Sequence, residues 1–553
     1  MEIVKSDPGV TAAVSAGVLG LVSHQIFKRN EPTVYSFASH VLIVNAGLTV
    51  LYKYLQGTVD QLAVVALVDF FVYLLTLSSS IVLYRVFFHP LNQYPGPILC
   101  KITRFASSWH VMTRDSHEWQ MSLHKKYGDV VRLSPNELSF ISASSVDQLH
   151  GSKAGKLARG PFYSGDPNRP ADSMLSTQDL NEHRWRRKTW ERGFGSKQLR
   201  DFEPRVIRLL DMLVSQLRER VGTTQNMTRW SEYFAYDVMS DLAFSEDFGM
   251  LKAAKPHPYI PALHDATRLL VIASQTPWIR PLMPWFPVEA QSKKAGKEFA
   301  RISRETYLRR KAREVKEPDM YEYIASPDRS GPRPLTEAEV VADSALLIAA
   351  GAVSTALSIT FMFFHLLQDP KQMARLQSEI DSCWDGVTLL DVTMLAPQRA
   401  PYLDGCINES LRLWPPAPNG MQRRTPSDGV VVDGRFVPGG TQVSNHTMGI
   451  QRDARHFTNP DAFIPERWID SERPADWNHD VRTFIPFTIG QFACLGKNLA
   501  YQELRLFMGG VVRNFEFRFA EGFRTEVFEG QIKYKGTFLI GELPVVFSDR
   551  KAS

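Results

Sequence analysis

The chain has 553 residues, of which 44% are hydrophobic and 22% are charged, which is enough for a large folded core. Its formal net charge of +5 is too small to indicate a nucleic-acid-binding protein. A reducing compartment fits the cysteine usage, because the spacing is that of neither a zinc site nor a disulfide scaffold. The four cysteines are Cys100, Cys383, Cys406 and Cys494.

Three apolar stretches open the chain, at residues 9–23, 35–55 and 62–84. The third carries a single charge, Asp69, and is long enough to cross the ~30 Å hydrocarbon core as a helix. A cleaved signal peptide is the alternative for the first stretch, weakened by the missing basic start and by the apolar segments that follow. We therefore expect residues 1–88 to be a membrane anchor with up to three transmembrane helices. Lys28 and Arg29 then lie on the same side as Arg85.

A proline-rich hinge is predicted at residues 89–98, which contain His89-Pro90 and Tyr94-Pro95-Gly96-Pro97. Prolines fix φ and interrupt helices, so the chain leaves the anchor at a set angle. The remaining residues, 99–553, are predicted to form one large domain.

Near the end of the chain, a loop presents one cysteine just before a predicted helix. The loop is Phe487-Thr-Ile-Gly490-Gln-Phe-Ala-Cys494-Leu-Gly496. Both glycines permit backbone conformations that a Cβ would penalise, and the N-terminus of the helix favours a thiolate over a thiol. A thiolate beside a flat apolar ring such as Phe487 suits the axial position of a heme iron. A buried structural cysteine is the alternative for the loop taken alone.

This loop resembles the heme-binding signature of the cytochrome P450 family, Phe-x-x-Gly-x-Arg-x-Cys-x-Gly, at Phe487, Gly490, Cys494 and Gly496. The resemblance implies that Cys494 is the axial ligand of the iron of heme b and that Phe487 helps to bind the cofactor. Phe492 stands where the family usually has an arginine that helps to bind a heme propionate, which leaves that propionate contact open.

Other basic residues match the family's propionate-binding positions. His183 and Arg187 share one face of a predicted helix and match the pattern Trp/His-x-x-x-Arg. Arg423 lies where the family places a further propionate-binding arginine, with its neighbour Arg424 as the alternative. We interpret the other basic residues of the predicted helix as a solvated face: Arg184, Arg186 and Lys188.

The strongest predicted helix begins with a capping box, Thr336 with Glu339, and is apolar almost without break through residues 340–367. A helix that is apolar all round is a buried central helix or a membrane span, and its interspersed polar residues favour the buried helix. Its middle, Ala350-Gly-Ala-Val-Ser-Thr355, resembles the family's distal oxygen-activation motif, Ala-Gly-x-Asp/Glu-Thr-Thr. The resemblance implies a catalytic role for Gly351, Ser354 and Thr355.

The acid of that motif is replaced here by Val353. In the family, the acid and the hydroxyl organise water that delivers protons for cleavage of the O–O bond, and valine can neither carry nor relay a proton. We hypothesise that protons arrive by another route, from a substrate hydroxyl or from a carboxylate elsewhere in the chain. The alternative is an enzyme that tolerates weak coupling and releases peroxide.

A structural cluster is also implied. Glu409 and Arg412 lie at i and i+3 on one predicted helix, close enough for an ion pair. In family order, Arg467 of a later Pro-Glu-Arg sequence completes a Glu–Arg–Arg cluster behind the heme. Its role is structural, so its loss should prevent heme incorporation.

The ordered agreement from about residue 90 to the end implies the cytochrome P450 fold. This fold is mainly α with small β-sheets, and it holds the heme between the central distal helix and the cysteine loop, here preceded by N-terminal transmembrane helices. Residues 99–553 would be the heme-thiolate catalytic domain. The run 127–138 is similar to fungal members of the family.

The activity implied by the resemblance is a monooxygenase that oxidises a lipophilic small molecule with O2. Electrons come from NADPH through a separate NADPH-cytochrome P450 reductase, with cytochrome b5 as a further partner. The catalytic domain would lie in the cytosol, anchored to the endoplasmic reticulum membrane, and would serve fungal secondary-metabolite biosynthesis. With Val353 in place of the acid, desaturation, epoxidation, coupling or an O2-independent isomerisation is the alternative. A non-catalytic heme-binding membrane protein is a more distant one.

Overall fold

The structure is a computed structural model that describes residues 7–29, 32–113, 115–164, 170–276, 282, 285, 287–325, 332–384, 390–534, 536 and 538–550. The α-helices, numbered in chain order, are α1 Pro8–Arg29, α2 Val34–Tyr54, α3 Leu62–Leu83, α4 Ile98–Ile102, α5 Phe105–Thr113, α6 Ser116–Tyr127, α7 Ala143–Leu149, α8 Leu180–Glu191, α9 Ser196–Arg218, α10 Met227–Phe244, α11 Met250–Ala253, α12 Tyr259–Gln275, α13 Pro287–Lys311, α14 Met320–Ala325, α15 Glu337–Gln368, α16 Pro370–Cys383, α17 Pro401–Leu413, α18 Thr447–Gln451, α19 Lys497–Asn514 and α20 Thr525–Gln531.

The strands are few and short. They are β1 Val130–Ser134, β2 Glu137–Phe140, β3 Ala158–Arg159, β4 Thr224–Asn226, β5 Arg423–Arg424, β6 Val430–Val432, β7 Arg435–Val437, β8 Gln442–Asn445, β9 Phe515–Phe519, β10 Lys533–Tyr534, β11 Phe538–Leu539 and β12 Pro544–Asp549. The largest sheet has the order β1-β2-β8-β5-β3, in which β2 and β8 run parallel, and a second sheet has the order β4-β12-β9. The predicted fold class, mainly α with small β-sheets, is confirmed.

Helices α1 to α3 are long and apolar enough to cross a membrane by length and composition. They pack against one another and place polar side chains between them: Ser23 shares a hydrogen bond of 2.8 Å with His40, and His24 shares one of 2.7 Å with Ser80. Polar pairs of this kind hold helices together where no water is available. The ends of α1 and α3 meet, because the Lys28 Nζ lies 4.0 Å from the centroid of the Tyr84 ring.

The proline-rich hinge is tied to the large sheet. The backbone N–H of Arg132 in β1 donates to the Pro95 carbonyl at 2.7 Å, and the Tyr94 hydroxyl donates to the Phe436 carbonyl at 3.1 Å. A Cβ on Gly96 would lie 2.5 Å from the Arg132 carbonyl oxygen, so this close approach requires glycine. The path of the chain after α3 is therefore fixed by contacts as well as by the prolines.

Helix α15 runs through the core of the large domain, as its apolar sequence predicts. It too is long and apolar enough to span a membrane, but 67% of its most apolar stretch is buried in the protein, against 28%, 11% and 17% for α1, α2 and α3. The predicted capping box is present: Thr336 Oγ1 accepts from the Glu339 N–H, and the Glu339 carboxylate accepts from the Thr336 N–H. Helices α10 and α19 both pack against it. Helix α15 is a buried central helix.

Candidate functional site

The cysteine loop between residues 487 and 496 is held in a tight turn. The Cys494 N–H donates to the Phe487 carbonyl at 2.9 Å, and a single 3₁₀ turn spans Gly490–Phe492. Gly490 has φ +72°, and a Cβ there would lie 2.0 Å from the His150 carbonyl oxygen. Glycine is therefore required at this position on two independent grounds. The Phe487 ring packs 5.5 Å from that of Tyr501 in α19.

The Cys494 sulfur faces a confined space. Of the four cysteines, all of which lie in the described part of the chain, Cys494 alone is exposed. Surrounding protein nevertheless desolvates it and raises the pKa of its thiol, an effect opposed by the N–H groups of Gly496 and Lys497 and by the charge of Arg187. An accessible yet desolvated sulfur lies in a cleft and not at the outer surface. The N–H groups that point at it suit a thiolate ligand, which a bound cation would keep deprotonated.

Beside this loop lies a cluster of buried cations around Phe492. The guanidinium carbons of Arg159 and Arg423 lie 4.6 and 4.4 Å from the centroid of the Phe492 ring, and the two arginines are directly paired on β3 and β5. They are 5% and 2% exposed. Among the described residues, neither has a carboxylate partner, and the Arg423 Nε has no hydrogen-bond partner. Buried and unpaired arginines mark a place for an anion.

The predicted residues His183 and Arg187 lie at the same cluster. His183 is buried, with its ring 4.5 Å from that of Phe492 and its Nε2 3.4 Å from Arg159, while its Nδ1 has no partner among the described residues. Burial, then Arg159 and the neighbouring arginines, lowers the pKa of His183 to about 3, so the ring is neutral. The Arg187 Nη1 donates to the Ala493 carbonyl at 2.7 Å, and its Nε pairs with Glu191. Helix α8 is thereby attached to the cysteine loop.

One part of the interpretation of α8 is wrong. Arg184 and Lys188 are exposed as expected, but Arg186 is completely buried. Its Nη2 lies 3.0 Å from Asp343 of α15, and its Nη1 lies 3.1 Å from Glu182. The basic run conceals this contact, because a helix face can be assigned only when the neighbouring helix is known. Arg186 fixes α8 to the central helix.

The distal motif is divided between different faces of α15. Ala350 is exposed in the middle of this otherwise buried helix. The Ser354 hydroxyl, one turn later, donates to the Ala350 carbonyl at 2.9 Å, and we call this exposed part of α15, at Ala350 and Ser354, the open strip. Thr355 is buried beside Glu503 of α19, and Gly351 packs against Met239 of α10. Of the three predicted catalytic residues, Ser354 lies on the open strip, whereas Thr355 and Gly351 contact neighbouring helices.

The Glu–Arg–Arg cluster is assembled in the core. Glu409 receives two hydrogen bonds of 2.8 Å from Arg412 and one of 2.9 Å from Arg467, and all three side chains are completely buried. Burial alone would raise the pKa of Glu409, but the two arginines hold it below its usual value. The Arg467 Nη1 also donates to the Thr458 carbonyl at 2.7 Å, so the cluster fixes the irregular segment that precedes the cysteine loop.

The sequence interpretation missed Arg159. It lies in a glycine- and proline-rich run, and its strand β3 is two residues long, so no periodicity marks it. Only the knowledge that β3 pairs with β5 would have identified Arg159 as a neighbour of Arg423.

Comparisons with known proteins agree with this geometry. The cytochrome P450 family model matches residues 90–537. The cytochrome P450 monooxygenase FCK2 of Fusarium pseudograminearum is 31% identical over 96% of this chain and 97% of its own length. The cytochrome P450 67 of Uromyces fabae is 32% identical over 93% of this chain and 94% of its own length. The tryprostatin B 6-hydroxylase of Aspergillus fumigatus is 31% identical over 92% of this chain and 91% of its own length.

A buried central helix, a cysteine loop and a cluster of unpaired cations define a helical heme enzyme. The chain belongs to the cytochrome P450 family and is a monooxygenase, an oxidoreductase that incorporates molecular oxygen. Members of this family bind heme through a cysteine thiolate. The residues present fit the group: Cys494 offers an accessible sulfur supported by N–H donors, and Arg159 and Arg423 offer unpaired charge for carboxylates.

Proposed function

We propose that the chain is a membrane-anchored monooxygenase of fungal secondary metabolism that oxidises a lipophilic small molecule, with electrons supplied by NADPH through a partner reductase. The observation that carries the proposal is the accessible Cys494 sulfur, held by a glycine-dependent turn beside unpaired buried arginines. When bound, the heme activates O2 so that one oxygen atom enters the substrate. Several relatives are named as cytochrome P450 monooxygenases of fungi, which supports the assignment to secondary metabolism.

In this proposal, the Cys494 thiolate would bind the heme iron and Phe487 would pack against the cofactor. Arg423, His183 and Arg187, joined by Arg159, would hold its propionates. The neutral His183 donates a hydrogen bond, while the guanidinium groups supply charge. Phe492 adds no charge, but its ring contacts the guanidinium groups of both Arg159 and Arg423 and would help to orient them. Ser354, Thr355 and Gly351 lie on different faces of α15 and therefore have different roles. Ser354 presents its hydroxyl at the open strip, whereas Thr355 and Gly351 contact the neighbouring helices α19 and α10.

The proposed membrane anchor and the proposed redox partner depend on two different parts of the chain. Residues 1–88 form the proposed anchor in the endoplasmic reticulum membrane, 89–98 the hinge and 99–553 the cytosolic heme domain. The exposed Arg184 and Lys188 lie on α8, which contacts the cysteine loop through Arg187, and a basic surface there suits an acidic reductase or cytochrome b5. Residues Asn226-Met-Thr228 form an N-glycosylation sequon. In a cytosolic domain this site stays unglycosylated in cells, so a glycan on Asn226 would overturn the proposed topology.

The decisive experiment is the reduced carbon-monoxide difference spectrum of membranes that contain the wild type, Cys494→Ser or Cys383→Ser. We expect the band typical of thiolate-ligated heme in the wild type and in Cys383→Ser, since Cys383 is a buried cysteine outside the cleft. Cys494→Ser should lose the band. Heme-loaded wild type without the band, or a band that survives in Cys494→Ser, would overturn the assignment of the ligand.

The second candidate function is an oxidation other than hydroxylation, favoured by Val353. Because this side chain cannot hold a proton, a desaturation, an epoxidation, a coupling or an O2-independent isomerisation would place different demands on proton delivery. Oxygen uptake and ¹⁸O incorporation into product separate these reactions: an unlabelled oxidised product, formed with O2 consumption, favours desaturation or coupling over hydroxylation.

A further inference from the structure

A cavity of about 410 Å³ borders the face of α15 that carries Val353. Its walls come from the first turns of α10, the start of α12 and the segment 538–542, together with α15. On α15 the lining is free of acids and bases: Val353, Ala356, Leu357 and Thr360. Neither Cys494 nor Ser354 is among the described residues that line this cavity.

Four polar side chains of α10 line the cavity, among them Glu232 and Tyr236, which lie one helical turn apart. Tyr236 is 1% exposed, and its hydroxyl has no hydrogen-bond partner among the described residues. The Glu232 residue as a whole is partly exposed to solvent. Burial raises the pKa of Glu232 to about 7, although Arg229 opposes the shift. A buried hydroxyl without a partner needs water or a ligand, and a cavity of this size has room for several waters.

The position of this cavity matters because of residue 353. An aspartate or glutamate at 353, where the distal motif of the family has its acid, would project from α15 into the same space that Val353 now lines. In this chain, the carboxyl at the cavity comes instead from Glu232 of the neighbouring helix. The residue that follows Val353 is Ser354, whose hydroxyl lies on the open strip of α15.

We propose that Glu232 supplies the acid that α15 lacks, passing protons through cavity water and the Tyr236 hydroxyl toward the turn at Val353 and Ser354. Each transfer breaks one O–H bond and forms another, no electron moves, and solvent reprotonates the Glu232 carboxylate. This inference rests on the proposed monooxygenase, whose reaction consumes protons as O2 is cleaved. It assigns the missing acid to a carboxylate elsewhere in the chain, in preference to a substrate hydroxyl or to uncoupled turnover.

The charged and titratable groups that face Glu232 come from three elements. Arg229, Tyr233 and Tyr236 are on its own helix, His264 is on α12, and Glu542 lies in the C-terminal segment. Arg229 lies 3.7 Å from Glu542 in an exposed ion pair. Glu542 thus offers a matched control, because Glu542→Gln removes the same charge from the same cavity at its solvent-exposed rim.

The test compares wild type, Glu232→Gln, Glu542→Gln and the double variant Glu232→Gln with Val353→Asp. We expect Glu232→Gln to keep the thiolate carbon-monoxide band, while the product formed per NADPH falls about tenfold. This loss is smaller than that expected for complete removal of a general acid, because water remains in the cavity. Hydrogen peroxide released per NADPH should rise correspondingly. Val353→Asp, which restores a carboxyl to the cavity, should recover most of the coupling, and Glu542→Gln should behave as the wild type.

A second readout is independent of turnover. The infrared spectrum of the full-length protein, titrated across neutral pH, should contain a carboxyl band that Glu232→Gln loses and Glu542→Gln keeps. Unchanged coupling in Glu232→Gln, equal peroxide release by wild type and variant, or loss of the carbon-monoxide band in the variant alone would each overturn the proposal. If the wild type itself lacks that band, the proposed function fails, and the infrared titration still decides whether Glu232 holds a proton.

Discussion

The ring of Phe492 lies 4.4 Å from the guanidinium carbon of Arg423. Where the family signature has an arginine, this chain has Phe492, and the ring of Phe492 contacts another arginine, Arg423. A cation on an aromatic face gains about 0.5–2 kcal/mol, more as the pair is desolvated, so Phe492 stabilises a charge that the buried cluster would otherwise repel. We therefore propose that Arg159 and Arg423 take over the binding of an anion in this chain.

Replacing Arg423 should weaken heme retention. Arg423→Met keeps the volume and removes a buried charge-assisted donor, so we expect heme affinity to fall about tenfold to a hundredfold, since such hydrogen bonds contribute about 1.5–3 kcal/mol. Heme transfer to apomyoglobin measures the loss. Arg424→Met is the control, because Arg424 is the exposed neighbour on the same strand. Equal heme loss from both variants would show that Arg423 does not bind the propionates.

Removing the charge of Glu409 should unfold the region behind the cysteine loop. Glu409→Gln leaves Arg412 and Arg467 buried without a counter-charge, and breaking such a cluster costs about 3–5 kcal/mol. The measurement is the free energy of unfolding in urea together with the heme content. Glu466→Gln serves for comparison: Glu466 pairs with Arg375 at 3.1 Å near the surface and should change the stability by less than about 1 kcal/mol. Similar losses in both variants would contradict the structural role of the cluster.

A methyl group at residue 490 should destroy the cysteine loop. Gly490→Ala introduces a Cβ 2.0 Å from the His150 carbonyl oxygen at φ +72°, so the loop must move and the Cys494 sulfur moves with it. We expect loss of the thiolate carbon-monoxide band. In contrast, Gly530→Ala lies in α20 with open space around it and should be neutral or should stabilise the protein by up to about 1 kcal/mol. A normal spectrum for Gly490→Ala would refute the geometric requirement.

Glu503 should make the stability depend on pH. Burial raises the pKa of this carboxyl from 4.5 to about 8, while Thr355 opposes the shift. The folded state therefore holds a proton that the unfolded state releases, so this contribution to stability is complete below pH 4.5 and is lost as the pH rises through about 8. Glu503→Gln removes the dependence and should gain roughly 3–5 kcal/mol on the wild type between these limits.

The check on Glu503 is the free energy of unfolding of both proteins at pH 5 and at pH 8. The exposed Glu521, changed to glutamine, provides the baseline for loss of a carboxyl at the surface. If the curves of wild type and Glu503→Gln run parallel with pH, the carboxyl does not titrate as its burial requires.

Local sequence predicted those features that local physics determines. The capping box of Thr336 and Glu339, the apolar course of α15 and the three N-terminal helices depend on neighbouring residues, and the structure contains them. The pairing of Glu409 with Arg412 follows from helical spacing in the same way. The contacts that escaped prediction join distant segments: β3 pairs with β5 through two residues only, and Arg186 finds Asp343 on another helix. No local pattern records such pairings.

The opposed pair Arg159 and Arg423 bears on how the protein matures. Strand β3 is the edge of the five-stranded sheet, and like charges directly across a strand pair repel each other. In the proposed heme site, the carboxylates of the cofactor would offset this repulsion and strengthen the pairing of β3 with β5. Newly made protein that waits for heme would then hold β3 less tightly, and an edge of β5 that β3 leaves uncovered invites pairing with other chains. Cells that run short of heme should therefore lose this enzyme to aggregation and degradation before they lose it to inactivity.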